Sequence, residues 1–331
     1  MYRKKHIISL LAGCLLFCAC SMIDEDLSKC GRENEINYQL RLLTNIQSEL
    51  ETELTTPEER EVAEALRARL AGIFTETAHD VDLSFYNTTD LLRAKHETHI
   101  MDASQASYTL YLPVREYMHL AVANIVDAVN VTLTDDETTP TSHLQQADGD
   151  TIASHTTGLF TARLPIEVRA DEDRTFDVKL YMANSAAALV IDTAGVSGIQ
   201  DIKIYSSGFA RSFAIRDSLY SYPDKAPVVR SVPVVMDHGH YVCNYTVNFP
   251  SYQQPVSRAT EEYWRFMAYV TLPNGTVTEN IISIQSPLLP EHLRVVKMKM
   301  KPDGSLTPIT SNVGVSVTLD WKQGGIYEPE L

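Results

Sequence analysis

The chain has 331 residues with 28 basic and 43 acidic side chains, which gives a formal net charge of −15. This excess of carboxylates argues against a nucleic-acid partner, because phosphate contacts need clusters of Lys and Arg. With 44% hydrophobic residues over this length, the chain can fold on apolar burial alone, into one or two domains.

The start of the chain has the pattern of a bacterial lipoprotein signal peptide. Basic residues at positions 3–5 precede an apolar run at 7–18 that is too short to span a bilayer. The run ends in a small residue followed by Cys20, which is the arrangement that lipoprotein processing acts on. We predict that residues 1–19 are removed and that Cys20 is lipidated. Acyl chains such as palmitate would then hold the protein on the outer membrane.

Two alternatives for the start remain open. Residues 11–14 match the four-residue lipobox pattern better than the residues that end in Cys20. They leave only about six apolar residues before Cys14, however, where the apolar region of a signal peptide has about 7 to 15. The other alternative is an ordinary secretory signal without a lipid. Mass spectrometry of the mature N-terminus separates the three, because a free amine there excludes a lipoprotein.

Residues 20–34 form a predicted acidic tether, since the adjacent carboxylates of residues 24–26 repel one another and cannot pack. Three of the five cysteines lie at or before position 20, which leaves Cys30 and Cys243. A disulfide between these two would be possible in an oxidising compartment. We favour two unpaired thiols, because a chain of this length does not need the bridge.

From residue 36 onward, apolar and polar side chains alternate with period two, as in half-buried strands. The alternating stretches lie at residues 36–42, 81–85, 108–112, 176–182, 202–205, 241–249, 264–270, 277–284 and 313–321. Many short strands separated by Pro, Gly, Asn and Asp indicate pairs of packed sheets. The fold class is therefore predicted to be mostly β.

One amphipathic helix is predicted at about 57–75. Thr56 is a suitable N-cap, Pro57 suits the first helical position and Glu59 completes a capping box. Apolar residues then recur at helical spacing. We expect the helix to lie on a sheet as an insertion in the first domain. Residues 114–129 have an ambiguous pattern with some helical character, and residues 132–150 and 253–260 are predicted surface loops.

The predicted domain boundary lies at residues 184–185. The last strand of an N-terminal β-sandwich domain, 35–184, is followed almost without linker by the first strand of a C-terminal β-sandwich domain, 185–331. A junction this short favours a semi-rigid pair of domains.

No catalytic, metal or cofactor motif stands out. A possible metal-binding cluster consists of His79, Asp80 and Asp82, whose side chains could flank an ion from a strand. Their spacing to other histidines matches no known metal motif. Nucleophile elbows, zinc-protease motifs and phosphate loops are missing from the sequence. We predict no enzymatic activity, no metal and no cofactor. Tyr222 and Tyr252 fall in apparent loops, where they could stack on a glycan.

Several segments, taken in order along the chain, resemble the fimbrillin-associated anchor lipoproteins of Bacteroidales, the FimB-like family: residues 23–30, 37–45, 79–86, 117–124 and 313–321. The resemblance implies two transthyretin-like β-sandwich domains in tandem, tethered to the outer membrane at the base of a type V pilus. It also implies that shaft subunits of the fimbrium are partners and donate a strand to this chain. The acidic residues after Cys20 resemble the surface-export signal of Bacteroidales lipoproteins, which implies a lipid-anchored protein exposed at the cell surface.

An alternative function stays open beside the anchor. The same lipoprotein could act as a surface adhesin or glycan-binding module, with a host protein or glycan as its receptor. The sequence does not identify the partner subunit, the receptor or the sheet edge that accepts a strand.

Overall fold

β-Strands dominate a chain whose structure is a computed structural model. The structure describes residues 33–43, 46–74, 78–100, 107–170, 174–236, 239–256 and 261–309, and the backbone of 315–322. The predicted mostly β fold class is confirmed, because each alternating stretch of the sequence that lies in these ranges is a strand.

The first sandwich is one seven-stranded sheet, sheet A, that folds back on itself. Its strands are β1 (Glu33–Leu43), β3 (Asp80–Asn87), β4 (Arg93–Ile100), β5 (Ser107–Pro113), β6 (Glu116–Ala123), β10 (Phe160–Glu167) and β11 (Arg174–Met182). Their order is β4-β3-β6-β10-β11-β1-β5. β10 pairs with β6 along its whole length, but with β11 only at Phe160 and Thr161.

Beyond this short pairing the sheet turns a corner, which produces two leaves with a core between them. The first leaf is β4-β3-β6-β10 and the second is β11-β1-β5. Tyr38 on β1 reaches across the core to His119 on β6, although two strands, β10 and β11, separate β1 from β6 along the sheet. Large buried side chains such as Phe85 and Phe160 fill the same core.

The second sandwich pairs two six-stranded sheets. Sheet B contains β2 (Gln47–Ser48), β12 (Ser185–Asp192), β17 (Val232–Val234), β18 (Tyr241–Asn248), β21 (His292–Met300) and β22 (Leu306–Pro308). Sheet C contains β9 (Thr151–Ala153), β13 (Asp201–Ser207), β16 (Val228–Arg230), β19 (Trp264–Thr271), β20 (Val277–Ile284) and β23 (Val315–Lys322). Trp264 and Phe266 are fully buried between the two sheets.

Sheet B is buried on both faces, and its central strand β12 shows why. Ala188 and Val190 face the hydrophobic core that is shared with the first sandwich, while Leu189 and Ile191 face sheet C. A strand covered on both faces has no need of polar residues at alternate positions, so β12 is almost entirely apolar.

Two helices cover the face of sheet B that is turned away from sheet C. Helix α1 (Leu50–Glu53) contacts β21, and helix α2 (Pro57–Ala71) contacts β17 and β18. The predicted capping box of α2 is confirmed, because Thr56 accepts the Glu59 amide and the Glu59 carboxylate accepts the Thr56 amide. The helix ends at Ala71, slightly earlier than expected. It packs on a sheet of the second sandwich, although its sequence belongs to the first.

A small four-stranded sheet, the junction sheet, lies against the outer face of the first leaf. It contains β7 (Val131–Thr134), β8 (His143–Gln146), β14 (Ser212–Ala214) and β15 (Leu219–Ser221), in the order β15-β14-β8-β7. Its apolar side chains pack with Tyr86, Leu120 and Val122.

Two sequence expectations were wrong. Residues 114–129 contain the strand β6 and no helix, because the side chains of this segment alternate between the sandwich core and the junction sheet. Residues 132–150 are also not simply a surface loop, since they contribute β7 and β8 to the junction sheet. The boundary predicted at residues 184–185 falls between β11 and β12. It stays a prediction, and strands are exchanged across it: β2 and β9 join sheets formed mainly by the later half.

Candidate functional site

The predicted lipid site, Cys20, lies outside the described residues, as does Cys30. The last two residues of the predicted tether, Glu33 and Asn34, are already part of β1. Cys243 is a buried free thiol, and burial raises its pKa to about 12, so it behaves as a core residue and not as a nucleophile. Within the described ranges, no helix has the length and apolar character needed to cross a bilayer.

The chain enters the first sandwich at the end that faces away from the second sandwich. Glu33 is paired with Pro113, and the side-chain amide of Asn34 donates to the Arg169 carbonyl at 3.3 Å. At the other end of the same strand, Leu43 is paired with Tyr181, close to the start of β12. A tether joined to β1 therefore leaves the molecule opposite the second sandwich.

The first sandwich has two outer edges, and β4 forms one of them. Lys95, Glu97 and His99 lie opposite the core residues of β3, so these three side chains point inward from the edge. Lys95 Nζ lies 3.1 Å and His99 Nε2 3.0 Å from the carboxylate of Glu97. Inward-pointing charges on an edge strand oppose the addition of a further strand, because the new strand would bury them.

β5 forms the other edge and has the opposite character. It contains no charged side chain, and in the described part of the chain it pairs only with β1. Leu110 and Leu112 are buried in the core, while Thr109 and Tyr111 are exposed. An uncharged edge strand of this kind presents unpaired amides and carbonyls to another chain.

The segment His79–Asp82, considered above as a metal-like cluster, is structural. The Asp80 carboxylate is buried and accepts the amides of Ile125 and Val126 at 2.9 and 3.2 Å, and this burial raises its pKa. The Asp82 carboxylate instead accepts a hydrogen bond from His96 Nε2 at 2.8 Å. Across the ranges that the structure describes, no three potential metal-ligating side chains come together.

A buried hydrogen-bond chain connects the two leaves of the first sandwich. The Tyr38 hydroxyl lies 2.6 Å from His119 Nε2, and His119 Nδ1 lies 3.0 Å from the Ser84 carbonyl. The carbonyl can only accept, so Nδ1 carries the proton and Nε2 accepts from Tyr38. Burial lowers the pKa of His119 to about 4, so the imidazole is neutral at pH 7. Sequence reasoning missed this pair, although both positions lie on the inward face of an alternating strand.

A second buried histidine lies where the two sandwiches meet. His155 Nδ1 is 2.7 Å from the Asn184 amide, and the His155 backbone amide donates to the Val247 carbonyl at 2.9 Å. Burial lowers the pKa of His155 to about 3. Asn184 also accepts the Leu159 amide. The predicted boundary residue is therefore part of a polar cluster that joins segments from both halves of the chain.

The structure places Tyr222 and Tyr252 together but turns them toward each other. Their rings stack with centroids 4.8 Å apart. Each hydroxyl donates to a backbone carbonyl, that of Ser251 at 2.8 Å and that of Pro223 at 2.6 Å. Both side chains are half-buried. Their use as a glycan-binding surface stays a prediction. Their contacts show that the two side chains hold two loops together.

Comparison with known families finds a match to part of the chain. Residues 59–214 match the family described as fimbrillin-A associated anchor proteins Mfa1 and Mfa2. The matched segment is slightly less than half of the chain. It runs from helix α2 to β14 and so includes most of the first sandwich. The resemblance stated from the sequence is thereby confirmed. No curated protein sequence matches the chain.

Solved structures share the fold at low sequence identity. A candidate adhesin from Bacteroides ovatus is 11% identical, with 93% of this chain and 97% of its own covered and a TM-score of 0.51. A candidate polysaccharide-binding protein from Bacteroides thetaiotaomicron is 10% identical, with coverages of 84% and 99% and a TM-score of 0.52. The fimbrial anchor protein Mfa2 from Porphyromonas gingivalis is 10% identical, with coverages of 88% and 100% and a TM-score of 0.47.

Proposed function

Because the chain is a relative of the fimbrillin-associated anchor proteins across residues 59–214, we propose that it is an outer-membrane lipoprotein that holds the base of a fimbrium. In this role Cys20 carries the lipid, and the first sandwich accepts a donated strand from a shaft subunit. The protein works by contact and has no catalytic task. The observation that carries the finer part of the proposal is the difference between the two edges of the first sandwich.

Strand addition at β5 agrees with the chemistry of both edges. A strand added beside β5 gains main-chain hydrogen bonds and meets an uncharged neighbour. A strand added beside β4 would cover the Lys95–Glu97–His99 group and remove these charges from water. We therefore assign β5 as the acceptor and β4 as the protected edge.

The place where the tether joins the fold supports an anchor at the base of a fibre. β1 begins at the end of the first sandwich that is opposite the second sandwich. A lipid on Cys20 would hold that end near the membrane, and the second sandwich would project away from it. The β5 edge runs along the side of the sandwich, where a fibre subunit can reach it.

The lipid anchor is tested with Cys20→Ser in cells that produce the fimbrium. We expect fibres and this protein to appear in the culture medium, because the variant lacks the acyl chains that hold it. Cys14→Ser is the matched control and should leave fibres on the cell. Cell-attached fibres in the Cys20→Ser strain, or release in the Cys14→Ser strain only, would contradict Cys20 as the anchor.

The acceptor edge is tested with one lysine on each edge strand. Thr109→Lys on β5 and Ala94→Lys on β4 both replace exposed residues, so neither disturbs the core. Affinity purification should recover shaft subunits with Ala94→Lys as with the unaltered protein, and should lose most of them with Thr109→Lys, because a lysine on an edge opposes pairing. Equal recovery with both variants would reject β5. Purification without any fimbrial subunit from the unaltered protein would favour a stand-alone surface adhesin.

A further inference from the structure

A cavity of about 650 Å³ lies outside the corner of the first sandwich. It exists because β10 and β11 separate after their two paired residues, while the β14–β15 hairpin covers the gap. Phe213 and Tyr220 form an apolar wall, with ring centroids 4.5 Å apart. The Tyr220 hydroxyl donates to the Ala183 carbonyl at 3.0 Å, which fixes that wall to the end of β11. A cavity of this volume is in the range of small-molecule sites.

Two features prevent a polypeptide strand from adding between β10 and β11. Pro165 lies in β10 and has no amide to donate to an incoming strand. The Arg163 guanidinium donates to the Arg216 carbonyl, which ties β10 to the turn of the β14–β15 hairpin. The cavity is therefore bounded by side chains and suits a compact ligand better than an extended peptide.

One wall of the cavity carries an exposed aromatic ring beside two opposite charges. Asp177, Lys179 and Tyr181 lie at alternate positions of β11 and are all exposed, Tyr181 by 54%. Among the described residues, neither Asp177 nor Lys179 makes an ion pair or a hydrogen bond to another side chain. Both are free to bind a ligand.

Two further residues that line the cavity have a backbone conformation that non-glycine residues seldom adopt. Ser218 has φ 53° and Glu291 has φ 61°, and both line the cavity. Ser218 lies in the turn of the β14–β15 hairpin, where this conformation is common, and the conformation of Glu291 is held by the surrounding structure. The lining of the cavity thus includes a hydroxyl and a carboxylate as well as an aromatic ring and a charge pair.

We propose that this cavity binds a neutral saccharide unit. A sugar ring has an apolar C–H face, which packs on Tyr181, and hydroxyls that both donate and accept hydrogen bonds. The hydroxyls donate to Asp177 and Glu291 and accept from Lys179. A ligand with a net charge fits less well. The cavity is lined by equal numbers of carboxylates and cations, so a ligand of either charge would lie beside groups of its own sign.

The test is binding of the purified mature chain to an array of neutral, sialylated and sulfated oligosaccharides, followed by titration calorimetry with the best neutral one. We expect saturable binding of neutral oligosaccharides, and a loss of about tenfold or more in affinity for Tyr181→Ala, because a stacked ring contributes that much to binding. Asp177→Asn should also weaken binding. Tyr111→Ala is the matched control, since Tyr111 is an equally accessible tyrosine on β5, 47% exposed and away from the cavity.

Three outcomes would overturn the proposal. The first is that no neutral oligosaccharide binds at millimolar concentration. The second is that Tyr181→Ala and Tyr111→Ala bind as the unaltered protein does, and the third is that only sialylated or sulfated members of the array are retained. Circular dichroism of each variant checks that the exposed substitutions leave the fold unchanged. The assay contains no fimbrial partner, so its result is independent of the anchor role.

Discussion

A neutral histidine links the two leaves of the first sandwich. His119 accepts a hydrogen bond from Tyr38 and donates one to the Ser84 carbonyl, so its one proton and its one lone pair are both used. Phe85 stacks on its ring with a centroid distance of 4.2 Å. A proton added at Nε2 would leave Tyr38 without its acceptor and would place a charge in an apolar core.

Acid should therefore weaken the fold through His119. Its pKa is about 4 in the folded protein and 6.5 in the unfolded chain, so the unfolded chain takes up the proton first as pH falls. The stabilisation is complete above about pH 6.5 and is lost as pH falls through 4, by about 3 kcal/mol for a shift of this size. Urea unfolding at pH 7 and pH 4.5 measures it.

His119→Gln should be less stable at pH 7 but should lose less of its unfolding free energy between the two pH values. Tyr38→Phe is the control, because it removes one hydrogen bond and keeps the buried imidazole, so it should retain the pH dependence. An equal loss on acidification in the unaltered protein and in His119→Gln would show that other groups, such as His155, account for the acid sensitivity.

At the scale of elements, helix α2 is attached to sheet B by a buried ion pair. Lys297 Nζ on β21 lies 2.5 Å from the Glu59 carboxylate and donates to the Glu53 carbonyl at 2.8 Å. Both side chains are less than a tenth exposed. Burial alone would raise the pKa of Glu59, but Lys297 and the amides of Thr56 and Thr55 outweigh it, so the pKa is lowered.

Removal of one partner should be more harmful than removal of both. We expect Lys297→Met to reduce the unfolding free energy by about 3 kcal/mol, because it leaves the Glu59 carboxylate buried without its cation. The double variant Lys297→Met with Glu59→Gln should recover part of that loss. Urea unfolding at pH 7 provides the comparison.

Arg67→Met is the matched control on the same helix. Arg67 pairs with Glu51 at 3.3 Å, but the two side chains are 54% and 86% exposed. Its substitution should change the unfolding free energy by no more than about 0.5 kcal/mol. A Lys297→Met variant as stable as Arg67→Met would mean that the ion pair does not hold the helix on the sheet.

At the scale of the whole molecule, the two sandwiches depend on each other. The core of the first sandwich continues through α2 to sheet B, and Ala188, Val190 and Val247 belong to it. β9 pairs with β16, and the junction sheet takes strands from both sides of residue 184. Separation would expose one entire face of sheet B and leave the outer face of the first leaf uncovered.

We therefore expect residues 33–331 to unfold in one cooperative transition. Scanning calorimetry should give a calorimetric enthalpy close to the van't Hoff enthalpy. Residues 185–331 alone should aggregate or bind a hydrophobic dye, because they lack α2 and the strands from the earlier half. Two separate transitions, or a stable and monomeric 185–331 fragment, would show instead that the predicted boundary separates independent domains.

Local patterns made part of this protein predictable. Strand alternation, as in residues 36–42, and the capping box from Thr56 to Glu59 depend on neighbours in the chain, so the sequence contains all the information. The prediction of Cys20 depends on a linear processing signal that no fold is needed to recognise. The family resemblance also came from linear order, and the match over residues 59–214 confirms it.

Tertiary structure decided which elements meet. Strands of two or three residues such as β2 and β9 have no local signal, because their pairing energy comes from strands far away in sequence. The register between β4 and β3 turns the charges of β4 inward. The pairing of β5 with β1 makes β5 the uncharged edge. The cavity beside Tyr181 arises in the same way, from a corner between β10 and β11 and a hairpin more than 30 residues later. Long-range packing therefore formed the two edges and the cavity, since a linear pattern specifies which face of a strand is apolar but not what covers it.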